Sequence, residues 1–94
     1  MDPQIEKLDI TEPEKRILES FLETECSPTS ELSPSKARKM REKIIEEVEE
    51  AAESYPEKGG ASRGLYQLAK YDATIDEHTK YLLRQLAYSF QAVR

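Results

Sequence analysis

The chain has one cysteine, one histidine and no tryptophan, and nowhere does it hold an apolar run near the ~20 residues needed to span a bilayer. Each lack excludes something. A single cysteine, Cys26, forms no internal disulfide, and a small secreted domain ordinarily needs several, so a reducing, cytoplasmic setting is expected. No basic stretch leads into an apolar one between Met1 and Ile10, so no secretory signal is expected, and no membrane insertion. A lone histidine, His78, supplies neither a metal site nor an acid–base pair, and no Glu-x-x-His spacing occurs. A basic excess is lacking too. The net charge of −5 repels phosphate backbones, so nucleic acid is not an expected partner. Strand-like alternation and internal repeats are absent. The expectation is a protein that is not an enzyme and carries no cofactor or metal.

What is present is helical periodicity. Apolar residues make up 37% of the chain and charged residues 35%, enough for one modest core under a charged surface. Residues 1–10 read as a flexible, extended or frayed segment, and 11–94 as a single helical domain. Thr11-Glu12-Pro13-Glu14 is a capping box with proline in the first turn, and Ile17, Leu18, Phe21 and Leu22 follow on one face, predicting a helix over 12–25. Prolines and serines break the pattern between Cys26 and Ser33. Ser33 then caps a second helix with Pro34 at its first position, running to about 55 on a stripe of Ala37, Met40, Ile44, Val48, Ala51 and Tyr55. Pro56, Gly59 and Gly60 end it, and Lys58 to Gly64 reads as a flexible connector. A third, short helix covers about 62–71 with Leu65, Leu68 and Ala69 inward, and Gly64 weakens its start. Thr74 to Glu77 reads as another capping box. A fourth helix then spans about 75–93 around Ile75, Leu82, Leu86, Phe90 and Val93. The predicted fold is all-α, a small antiparallel bundle of four helices; the alternative is a three-helix core with the first helix loosely docked or used in a dimer.

Two features depart from what folding alone selects. In the second helix Lys36, Arg38, Lys39, Arg41 and Lys43 come first, and Glu46, Glu47, Glu49, Glu50 and Glu53 last. This opposes the helix dipole, which favours acids first and bases last. It fits either a polarised contact surface or a solvated helix. Arg41 falls within the apolar arc, between Ile44 and Ile45, so its head must extend to water at the bundle end or find a carboxylate, such as an acidic group of a partner. The second feature is tyrosine. Tyr81 and Tyr88 lie seven apart on the fourth helix, turned about a third of a turn from the Leu82–Leu86 stripe, where they either pack on the first helix or the amino-terminal stretch of chain, or form an interface. Tyr81, Tyr88, Lys39, Arg41 and Lys43 are therefore the candidate partner-binding residues. Cys26, without a histidine nearby, reads as an inert thiol.

The layout is similar to that of the small cytoplasmic immunity proteins of bacteriocin producers, which are four-helix bundles with a short third helix. The likeness is one of architecture, and no motif carries it. The residues themselves lead to a helical protein–protein interaction or regulatory module that binds another protein or a second copy of itself. An immunity-type protein, or a phage-encoded acidic inhibitor of a basic protein, are further readings. A small enzyme or metal carrier is disfavoured.

Overall fold

The structure is a computed structural model that describes residues 2–55 and 60–93. Among them are five helices and no strand: α1 (Pro3–Glu6), α2 (Glu12–Glu25), α3 (Pro34–Ser54), α4 (Gly60–Tyr71) and α5 (Glu77–Gln91). The fold is all-α, and the four long helices form the bundle.

Local chemistry sets the helix starts. Thr11 caps α2 through the full capping box: its hydroxyl accepts from the Glu14 N–H, and Glu14 Oε1 accepts from the Thr11 N–H at 2.9 Å. Ser33 caps α3 by accepting from the Lys36 N–H at 3.2 Å. The cap of α5 is Asp76, which accepts from the Thr79 N–H at 2.6 Å; the Thr74 box expected from sequence does not form. Thr74 instead donates to Asp72 through both its N–H and its hydroxyl, making a local turn that precedes the helix by two residues. Ile75 is buried although it lies outside α5, whereas Val93, expected in the core, is exposed beyond its end.

The amino-terminal segment departs most from expectation. It is not extended: Asp2 caps a one-turn helix with Pro3 at its first position, and Ile5 and Leu8 are buried in the core. Lys15 on α2 donates to the Glu6 carbonyl at 2.8 Å, fastening α1 to α2. Four helical residues are too few to show periodicity, and two apolar side chains are enough to hold the segment down.

α4 is the element on which both neighbours pack. It lies against α3 and against α5, whereas α2 packs on α5 and α1. Both pairs are antiparallel. Ser62 at the start of α4 donates to the carbonyl of Ala87 near the end of α5, and Gly64 at the start of α4 meets Ala51 near the end of α3. A Cβ at Gly64 would sit 2.6 Å from the Ala51 Cβ and 2.7 Å from that residue's backbone. Gly64 is thus not a weak point in the helix but the residue that lets α3 and α4 approach. Within the predicted connector, Lys58 and Gly59 lie outside the described residues, as does Pro56. From Gly60, whose φ of 57° suits glycine, the chain is helical and buried through Ser62.

The core joins Leu18 and Leu22 of α2, Ile44, Val48 and Ala51 of α3, Leu65 of α4, and Leu82, Leu83, Leu86 and Phe90 of α5. Leu18 and Leu22 are buried, so α2 contributes to this core, packing on α5 and α1. No helix among the described residues is long and apolar enough to cross a membrane.

Candidate functional site

α5 turns Leu82, Leu83, Leu86, Ala87 and Phe90 into the core, so positions 81 and 88 face outward. Tyr81 is 57% and Tyr88 51% exposed, and they share a stripe with Arg84, Gln85 and Ala92, all exposed. From Tyr81 to Ala92 the stripe contains no carboxylate; Glu77, one turn before Tyr81 on the same face, is exposed, and Glu25 lines the adjoining groove. This groove, of about 460 Å³, runs between α2 and α5. Ile17 and Phe21, half-buried on α2, form one wall, and Ser89, Ala92 and Val93 form the other. Tyr88 lies one turn before Ala92, which lines the groove. The groove's signal in the sequence was the width of the α2 apolar face: Ile17, Leu18, Phe21 and Leu22 exceed what one contact buries, and the structure covers only Leu18 and Leu22 fully.

The cations of α3 divide into two groups. Lys36, Arg38 and Lys39 are exposed. Arg41 and Lys43 are committed within the chain. Arg41 pairs through Nη2 with Asp2, the cap of α1, both groups being part-buried. Its Nη1 is buried without a hydrogen-bond partner. Lys43 pairs with Glu47 Oε1 at 3.0 Å, where the Glu47 side chain is 2% exposed and its Oε2 has no partner. The bond from Glu47 pushes the Lys43 pKa up. Glu47 therefore does not belong to the solvated acidic face with Glu46, Glu49, Glu50 and Glu53, which are exposed. It stands one turn before Ala51, the residue that α4 approaches at Gly64. Among the described residues no hydrogen bond or ion pair joins Lys39, Arg41 or Lys43 to Tyr81 or Tyr88, and α4 packs between their helices.

Cys26 is a free, buried thiol at the end of α2. Burial and the neighbouring Glu25 push its pKa up, against a smaller opposing pull from Arg41, so it stays protonated and a poor nucleophile. Among the described residues no group of three or more histidine, cysteine, aspartate or glutamate side chains is placed to hold a metal ion. Comparison with protein-family models, with curated proteins and with solved structures gave no match.

Proposed function

We propose that this chain is a non-enzymatic interaction module that binds another protein through the outer face of α5 and the adjoining α2–α5 groove. The observation that carries the reading is the pairing of two half-exposed tyrosines, each one turn of helix from Arg84, with an open, mainly apolar groove near them. Aromatic residues and arginine are enriched in interfaces, and glutamate and lysine are depleted; this stripe has that composition on an otherwise charged surface. The occupant this groove suits is an apolar helix or strand of the partner, with the tyrosine hydroxyls at the wet rim. A protonated, buried cysteine and a lone histidine support the non-enzymatic side of the reading.

The test is photocrosslinking in the native cell. A photoreactive residue at position 85, between the tyrosines, should yield one dominant crosslinked protein. Tyr88→Ala in the same chain should remove it while leaving helicity intact. A yield unchanged by Tyr88→Ala would refute the assignment of the surface.

A further inference from the structure

A second groove, of about 400 Å³, runs between α3 and α4 on a different part of the surface. Its apolar lining is Ala51 and Leu68, Tyr55 and Tyr71 supply rings, and Glu50 and Asp72 bring one carboxylate from the α3 side and one from the end of α4. Among the described residues no lysine or arginine lines it. From these features we infer that the α3–α4 groove is a docking site for a lysine- or arginine-bearing segment of a basic partner protein. The inference does not rest on the α5 surface and goes beyond it.

Charge complementarity identifies the occupant. Glu46, Glu49, Glu50 and Glu53 are exposed in the last turns of α3, whose final turn contains no basic residue, although carboxylates there face the negative end of the helix dipole. Tyr71 is 70% exposed, the most of any large apolar or aromatic side chain described, and a cation already rests on its ring: Lys70 Nζ lies 5.3 Å from the centroid. Bonds from the Thr74 hydroxyl and N–H hold the Asp72 carboxyl below its ordinary range, so it is ionised at neutral pH; Lys43 and Lys80 face it and offset part of its charge. A long cationic side chain satisfies every part of this lining. Its methylene stem lies along Leu68 and the rings, and its head meets Glu50 and Asp72. A second copy of this chain is the poorer occupant, because each copy carries a net charge of −5 and repels the other.

The experiment titrates the full chain with hexa-arginine and hexa-lysine peptides, following amide chemical shifts at about 0.15 M salt, where long-range attraction is largely screened. Shifts should concentrate at Tyr55, Leu68 and Tyr71. Glu50→Gln and Tyr71→Ala together should weaken binding roughly tenfold, Tyr71→Phe should leave it within about twofold, and so should Glu31→Gln on the far loop. Glu50 and Tyr71 are exposed, and Glu50→Gln alone preserves the test should Tyr71→Ala disturb α4. Shifts scattered over all acidic surfaces, with equal affinity in every variant, would overturn the inference. So would sedimentation showing a dimer that these substitutions dissociate, since a second copy would then occupy the groove.

Discussion

Gly64→Ala is a small change with a large expected cost. The new methyl carbon would meet the Ala51 Cβ at 2.6 Å and the Ala51 Cα and carbonyl oxygen at 2.7 Å, all well inside van der Waals contact. Two of the three obstacles are backbone, so no rotamer change relieves them and α3 must shift relative to α4. Overpacking of this kind costs about 1–3 kcal/mol, and a forced backbone displacement belongs at the upper end. Replacing glycine by alanine inside a helix returns up to about 1 kcal/mol of propensity, so the net loss should be about 2 kcal/mol. In a domain of this size each kcal/mol lowers the melting temperature by about 4–8 °C, which predicts a fall of roughly 8–16 °C in a thermal melt. Ala51→Gly combined with Gly64→Ala should recover only part of this, because the Ala51 backbone remains in the way. A Gly64→Ala protein as stable as the parent, or more stable, would refute the close α3–α4 crossing, and with it the shape of the groove that crossing defines.

Asp76→Ala should cost about 1 kcal/mol, the usual worth of a helix cap. The Thr79 N–H holds the Asp76 carboxyl below its ordinary 3.8, so this stabilisation is present above that pH and lost as the pH falls through the lowered value; parent and variant should converge in acid denaturation. Lys43→Ala leaves the Glu47 carboxylate buried without its counter-charge and should destabilise by about 1–2 kcal/mol in urea melts, a loss that Glu47→Met should reverse. Because the Lys43 pKa is raised, its contribution is full below the ordinary 10.5 and fades only as the pH climbs through the raised value. Ile44→Asp places a charge at a fully buried position and should abolish the cooperative transition seen by circular dichroism, the total stability being only about 5–10 kcal/mol.

Much of the fold was legible because its signals are local. The box from Thr11 to Glu14 and the Ser33-Pro34 start located α2 and α3 to within a residue. What was missed depends on contacts distant in sequence. Asp2-Pro3 carries a cap-and-first-turn signature, but the partner that fixes it, Arg41, is 39 residues away. Thr74 and Asp76 are both competent caps two residues apart, and the turn that Asp72 makes with Thr74 decides between them. Gly64 and Glu47 gave the same difficulty. A glycine in a helical pattern reads as weakness and a glutamate in an acidic run reads as solvated, until a second helix is seen against Ala51. The candidate site was half legible. The outward position of Tyr81 and Tyr88 follows from spacing, whereas the groove beside them is made by α2 and α5 together. Arg41 and Lys43 belong to the chain's own ion pairs, which leaves Lys39 as the exposed member of the three candidate cations.

The central claim, that the α5 face binds a protein, is tested most directly by comparing crosslinks from position 85 with crosslinks from position 46 on the exposed acidic face of α3. The account predicts that the protein captured from position 85 dissociates from Tyr81→Ala or Tyr88→Ala at least about tenfold faster than from the parent, as truncation of a buried tyrosine anchor ordinarily requires. Capture of that same protein from position 46 alone, with dissociation unaffected by either tyrosine substitution, would contradict it.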